Sequence, residues 1–409
     1  MNCRFCKNNL KHEFIDLVNA PPSNSFLTKD QLNEPEVFYP LKLYVCEKCF
    51  LVQIDEYKKS DEIFNQNYAY FSSFSTSWLE HTKKYVEMIT DRLGLNATSY
   101  VIEIASNDGY LLQYFLEKQI PCLGIEPSEN TARACRERGI ETIEKFFCFD
   151  LAKKLAQNGK KADLIIGNNV LAHVPDINDF VRGLKTVLNP DGVITMEFPH
   201  LMKLIEQNQF DTIYHEHFSY LSFFTTRKIF AIHGLDLFDV EELPTHGGSL
   251  RIYAKHNNRK SKSIQPSVSS LLENETAAGM LELNYYLNFQ RKADQIKYEL
   301  VSFLLEQKKK GKKVAAYGAA AKGNTLINYS GIKKDLISLV VDASPHKQGM
   351  FMPASHIPVV SEGKIKETQP DFVVILPWNI KDEIMNQLRY IRQWGGRFVV
   401  PIPEIEIFD

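Results

Sequence analysis

The chain has 409 residues, 44% hydrophobic and 24% charged, more than one core usually holds, so two or three domains are expected. Lysine and arginine number 48 against 50 aspartates and glutamates, a formal charge of -2, which leaves no electrostatic footprint for nucleic acid or an anionic membrane. No apolar run reaches the roughly 18 residues of a spanning helix, and Met1-Asn-Cys-Arg-Phe-Cys6 has no apolar stretch for export. The expected location is the cytoplasm, with neither nucleic acid nor membrane as partner.

Seven cysteines, an odd number in a chain without an export signal, argue against a disulfide framework. Four of them form two CxxC pairs, Cys3 with Cys6 and Cys46 with Cys49. Two such knuckles can close one tetrahedral site, and four thiolates exhaust the coordination of zinc, which makes the site structural; another metal or a redox pair is the alternative. Cys122, Cys135 and Cys148 sit in apolar or helical contexts and read as small core residues. Between the knuckles, Ala20-Pro-Pro-Ser-Asn-Ser25 precedes an alternating strand over Phe38–Val45, so residues 1–72 read as a zinc-stapled domain.

The fold class expected beyond it is α/β. A helical period over Trp78–Leu93 leads into the buried-strand run Tyr100-Val-Ile-Glu-Ile104, and Cys122–Glu126, Asp163–Gly167 and Gly192–Met196 repeat the pattern. This is a doubly wound parallel sheet, given the range 73–275, with Asn257-Asn-Arg-Lys-Ser-Lys-Ser263 as a solvated linker. A long amphipathic helix with Leu283, Leu287, Ala293, Ile296, Leu300 and Phe303 on one side ends at Lys308-Lys-Lys-Gly311. Strands at Val314–Tyr317, Ser338–Asp342 and Asp371–Leu376 then build a smaller Rossmann-like unit, 276–409.

Glu103-Ile-Ala-Ser-Asn-Asp-Gly109 follows a strand and opens a helix, where backbone amides can meet a polar ligand. The next strand ends in Glu126, a carboxylate placed to accept from two ribose hydroxyls. GxGxxG is absent. The E-x-G-x-G-x-G pattern of class I methyltransferases is partly matched, with Ala105 and Asn107 in place of its first two glycines and Gly109 as its last. Asn168 and Asn169, ending the strand from Asp163, would hold the methionine end of S-adenosylmethionine.

Tyr214-His-Glu-His-Phe-Ser-Tyr220 crowds proton-transfer groups together; its HxH spacing is also that of a metal site, though no third ligand stands nearby, and a polar surface loop is the plain alternative. Pro244-Thr-His-Gly-Gly-Ser-Leu-Arg251 joins a flexible turn to His246 and Arg251, suited to phosphate or sugar hydroxyls. His173 ends the fourth-strand stretch, beside the expected sulfonium.

The order CxxC…CxxC, Tyr68-Ala-Tyr-Phe-Ser-Ser73, Glu103–Leu112, Tyr214-His-Glu-His-Phe218, Thr245-His-Gly-Gly-Ser-Leu-Arg251, Tyr317-Gly-Ala-Ala-Ala-Lys-Gly-Asn-Thr325 and Pro345-His-Lys-Gln-Gly349 resembles the three-domain sugar C-methyltransferases of deoxysugar biosynthesis over nearly the whole chain. The resemblance implies a zinc-binding domain, a methyl-donor domain and a Rossmann-like domain that helps hold a nucleotide-linked 4-keto-deoxysugar, a dTDP-sugar above all. It places the base on His217, helpers on Tyr214 and Glu216, a second active-site histidine on His173, and the tyrosine of the N-terminal domain, facing cofactor and substrate, on Tyr68. Where the family often has glycine, this chain has Ala105.

The residue types then suit enolate chemistry. A C4 ketone acidifies the C3 proton; His217 can remove it, Tyr214 donate to the enolate oxygen, Glu216 orient the imidazole, and His173 hold the sugar or the enolate. In the last unit, backbone amides around Ala320 and the Lys322 ammonium suit a pyrophosphate, and His346, Lys347 and Trp378 rim the same crevice. Asp342, 24 residues after Gly318, imitates the ribose acid of a dinucleotide fold, so NAD is a rival occupant. Methylation at oxygen or nitrogen of a related sugar, methylation at C5 instead of C3, and a zinc-containing binding module without activity are the other readings. Charge near zero leaves the oligomeric state open.

Overall fold

The computed structural model describes residues 1–59, 71–259 and 262–409. Three sheets organise it. The first begins with β1 (His12–Ala20), β2 (Tyr39–Val45) and β3 (Val52–Ile54), paired antiparallel. Leu41, Leu43 and Val45 point inward at the two-residue period of a half-buried strand. A register shift between Asp16 and Asn19 bends β1, with Val18 at φ 64°.

The central sheet follows in chain order with β4 (Val101–Ile104), β5 (Cys122–Ile125), β6 (Glu141–Ile143), β7 (Ala162–Asn168) and β8 (Leu188–Pro199). A two-residue strand, β9 (Ser219–Tyr220), then leaves to pair with β3 in the first sheet, before β10 (Leu235–Leu243) and β11 (Ser249–His256) return. The order is β6-β5-β4-β7-β8-β11-β10, and β11 alone runs antiparallel to its neighbours. That is the class I methyltransferase sheet. The four buried strands expected from the sequence are β4, β5, β7 and β8; the β10–β11 hairpin was not foreseen, because Gly247 and Gly248 at its turn read equally well as a ligand loop.

The third sheet holds β12 (Val314–Tyr317), β13 (Val340–Val341), β14 (Val359–Val360), β15 (Phe372–Ile375), β16 (Arg397–Val400) and β17 (Glu406–Phe408), ordered β14-β13-β12-β15-β16-β17 and parallel except for β17. The long helix preceding it starts at Phe289, not near Leu283, and ends at Lys309. Gly279 at φ 91° breaks the path, Tyr286 is fully buried with its hydroxyl donating to the Met280 carbonyl at 2.8 Å, and Leu283–Tyr285 form a separate turn. Among the described residues no helix is long and apolar enough to cross a membrane.

The zinc-domain sheet does not stand alone. Its inner residues Phe14, Ile15, Leu43 and Ile54 share one core with Phe289, Ile296, Leu326 and the strands of the third sheet, and Phe14 stacks on Phe289 with centroids 4.9 Å apart and planes 14° off parallel. Leu27 and Phe351 exchange backbone hydrogen bonds, so the segment after β1 also reaches the C-terminal unit. Phe14→Ala is expected to remove about 3–5 kcal/mol of stability, read as a lower urea midpoint for the N-terminal and C-terminal units together.

Candidate active site

The metal site forms first in the chain. The four sulfurs of Cys3, Cys6, Cys46 and Cys49 lie within 4.8 Å of one another, with Cys3–Cys49 and Cys6–Cys46 each at 3.5 Å. Zinc–sulfur bonds of about 2.3 Å at tetrahedral angles need sulfur separations of about 3.8 Å, so the donor set fits zinc and leaves no coordination site for substrate. Among the described residues no other group of three or more metal-ligating side chains is assembled. The buried Gln53 donates to the Cys3 sulfur at 3.3 Å and accepts from the Arg4 amide at 2.7 Å, an outer layer that orients the ligand.

The cofactor crevice opens at the carboxyl ends of β4, β5 and β7. Its turn is held by backbone geometry: Ala105, Asn107 and Gly109 have φ of 57°, 48° and 78°. The family glycine at Ala105 therefore answers a left-handed position that alanine adopts at a cost of about 1 kcal/mol. At Gly109 a Cβ would lie 2.7 Å from the Ile140 side chain. Glu126 receives the Asn107 amide at 2.9 Å, the Ser128 amide at 2.9 Å and the Thr131 hydroxyl at 3.1 Å, so it fastens the turn as well as facing the crevice. The Asn107 side chain accepts from the Ser72 amide, and Asp108 bonds to Ser73 and Arg138. Glu103 is fully buried, and burial holds its carboxyl well above the usual range against the opposing Tyr110 hydroxyl. Its oxygens, the Asn168 amide nitrogen and the Asn169 side-chain oxygen are buried without a hydrogen bond of normal geometry. Orphaned donors and acceptors at adjacent strand ends are what the amino, carboxylate and hydroxyl groups of S-adenosylmethionine require.

The second cluster lies between the central sheet and the C-terminal unit. His217 is buried, and its Nδ1 donates to the Thr212 carbonyl at 3.0 Å, leaving Nε2 as the acceptor. The Tyr214 ring is tilted over it at 4.1 Å between centroids, and His173 stands edge-on at 4.6 Å. Desolvation first, then the charges of His173, His246 and Lys322, keep His217 well below the usual imidazole range. His173 is lowered to about 4 by burial, partly offset by a hydrogen bond to the Glu216 carbonyl. Glu216 points away from the His217 imidazole: Asn24 donates to it at 2.7 Å, and burial raises its carboxyl to about 7. Thr212 therefore orients the imidazole in the way the sequence reading gave to Glu216. His215 lies 3.2 Å from the Pro40 carbonyl and edge-on to Tyr39, so the two histidines of the HxH string are engaged with different parts of the chain.

The remaining sequence-chosen residues lie in several different settings. His246, at φ 55° and lowered to about 4 by burial, packs edge-on to Trp78. Lys322 and Trp378 form a cation–ring pair at 4.6 Å; Lys322 also donates to Asn379, and the Trp378 indole donates to buried Asp211 at 2.8 Å. Ala320 caps the helix Ala321–Tyr329, the Lys347 ammonium bonds to the Ala319 carbonyl, and His346 stacks on Phe71 and Phe74, so these rim residues sit apart from His217. Arg251 is buried in ion pairs with Glu197 and Glu241. Asp342, the imitation ribose acid, accepts from the Ser344 amide and pairs with Lys347. Tyr68 lies outside the described residues. Thr212, Asp211, Asn24 and Glu197 were missed; Asn24 stood in the Pro-Pro-Ser-Asn segment already noticed, whereas a backbone carbonyl leaves no mark in sequence.

The sheet order and the polar crevice together define an S-adenosylmethionine-dependent methyltransferase. Comparison with known proteins agrees. Residues 3–64 match a family model described as "Putative zinc binding domain", residues 78–240 a methyltransferase domain, and residues 244–403 a C-methyltransferase C-terminal domain. The C-methyltransferase NovU of Streptomyces niveus is 32% identical over 407 residues, covering 100% of this chain and 96% of that protein. The chain belongs to this three-domain C-methyltransferase family. Solved structures match part of the chain: an S-adenosylmethionine-dependent methyltransferase from Clostridium acetobutylicum at 11% identity and TM-score 0.35, over 44% of this chain and 92% of its own, and the PH0226 protein of Pyrococcus horikoshii at 15% and 0.38, over 49% and 99%.

Two measurements check the sites. A Cβ on Gly124 would lie 2.5 Å from the Ser106 hydroxyl in the cofactor turn, so Gly124→Ala should weaken S-adenosylmethionine binding about tenfold or more, equivalent to 1.4 kcal/mol, by titration calorimetry. Chelation of the protein should release one zinc per chain, counted by elemental analysis, and lower the melting temperature, since a structural metal contributes its binding energy to the fold.

Proposed function

We propose that this C-methyltransferase acts on C3 of a 4-keto-6-deoxyhexose carried on a nucleoside diphosphate, dTDP above all, with His217 as the base. The observation that carries the proposal is the buried, neutral His217 with one ring nitrogen committed to the Thr212 carbonyl. Such a ring has a single function left, accepting a proton at Nε2, and a weakly acidic carbon acid needs it close and desolvated. The family resemblance supports a sugar ketone as that acid.

In this reading His217 Nε2 takes the C3 proton while the C–H electron pair forms the C3–C4 double bond and the carbonyl pair moves to oxygen. Tyr214, packed on the imidazole, donates to that oxygen; His173, neutral, holds the sugar on the opposite side. The bound cofactor supplies an electrophilic methyl, and Glu103, Ala105, Asn107, Gly109, Glu126, Asn168, Asn169 and, from the resemblance, Tyr68 hold its two ends. Lys322 and Trp378, with His246 and the rim of Ala320, His346 and Lys347, take the nucleotide and sugar. Arg251, held in its ion pairs with Glu197 and Glu241, is left out of substrate contact. The domain bounds 1–72, 73–275 and 276–409 belong to the same reading.

The test is mass spectrometry with S-adenosylmethionine and dTDP-4-keto-6-deoxyhexose in D2O, repeated without the donor. A gain of one methyl, and deuterium at C3 when the donor is omitted, are expected; methylation without carbon exchange would instead place the methyl on oxygen or nitrogen. His217→Asn should lower both rates by 100-fold or more, within the range of one proton-transfer group. Because the folded His217 lies well below its usual value, the exchange rate should show no acid limb at the ordinary imidazole value near 6.5.

A further inference from the structure

Arg4 sits between the cysteines of the first knuckle, yet its side chain leaves the metal site. One guanidinium nitrogen donates to the Pro175 carbonyl at 2.7 Å and another to the Ile54 carbonyl at 2.5 Å. The group lies 5.3 Å over the Phe218 ring. Pro175 follows His173 by two residues, and Phe218 follows His217 directly, so one planar cation touches both histidine-bearing turns. Its base is fixed: the Arg4 amide donates to Gln53, Gln53 donates to the Cys3 sulfur, and Asn178 donates to the carbonyls of Arg4 and Phe5. Gln53 also pairs through its backbone with Ser219, two residues beyond His217.

We propose that Arg4 is a positioning residue that fixes the separation of the His173 and His217 turns, with the four-cysteine site as its anchor. It touches neither reactant. A planar fork that bonds two carbonyls and stacks on a ring suits this task, and a point-like ammonium does so only in part. Misplacing a base by about 1 Å can cost 100-fold in rate. The inference rests on the reading of His217 as base for its kinetic consequence, but its structural content is independent of substrate.

The experiment uses the full zinc-loaded chain and compares wild type, Arg4→Ala and Arg4→Lys. Zinc content, S-adenosylmethionine affinity, backbone amide exchange of residues 172–174 and 214–220, and donor-free deuterium entry into the sugar are measured. In Arg4→Ala, zinc and cofactor affinity should stay within twofold, the His217 amide, which donates to the Tyr214 carbonyl, should exchange at least about tenfold faster, and sugar deuteration should fall at least about tenfold with a smaller change in KM. Arg4→Lys should recover part of both losses. Unchanged amide exchange in zinc-loaded Arg4→Ala overturns the proposal, as does loosened exchange with unaltered deuteration. Loss of zinc from both variants also overturns it, since Arg4 would then serve only the knuckle. A wild type that deuterates no sugar overturns the base assignment, while amide exchange still decides the role of Arg4.

Discussion

Val52 faces Tyr220 and Gln53 faces Ser219 across two residues of antiparallel pairing, and the candidate active site hangs from that seam. The segment 211–220 carries Thr212, Tyr214 and His217 but has little regular structure of its own. At its far end the zinc-domain sheet takes it up through β9; at its near end the C-terminal unit holds it, with Trp378 on Asp211 and Thr325 on the Ile213 carbonyl at 2.7 Å. Two residues of ladder are marginal alone. The shared core around Phe14, Phe218 and Phe289 supplies the burial that makes the seam persist.

Desolvation then decides the chemistry. His173, His217 and His246 are all pushed below the imidazole range by burial, while Glu216 rises to about 7 and Asp211 to about 6. Each buried group is moved toward its neutral form, the usual result when water is excluded. The site therefore presents uncharged bases beside Lys322, whose ammonium, itself lowered by burial, answers Asp211. In the proposed mechanism, a neutral imidazole next to a cation abstracts a proton without first having to lose one, and an oxyanion formed nearby meets positive charge.

Much of this was legible beforehand because the signals are local. CxxC pairs, buried-strand runs and the Glu103–Gly109 turn depend on residues close in sequence, and they appear in the structure as a thiol cluster, the strands β4, β5, β7 and β8, and a left-handed turn. Where the reading fell short, a distant partner decided. Tyr286 buried itself against β1, and the long helix starts late, at Phe289. Arg251 has the sequence of a ligand residue, but Glu197 on the neighbouring β8 claimed it. Glu216 directly precedes the histidine it was expected to orient, yet Asn24, 192 positions earlier, turns it away.

The same seam imposes an order on synthesis. β3 ends at Ile54 and its partner begins at Ser219, 165 residues later, so a ribosome working at about 5–20 residues per second leaves the edge of the first sheet unpaired for roughly 8–33 s. An open edge is a template for the wrong strand. This one is three residues long, and its central residue, Gln53, turns its amide inward to the knuckle, which keeps its polar side chain occupied until β9 emerges. All four thiols precede β3 in the chain, so the metal site can close, and fix this edge, before there is any catalyst to hold together.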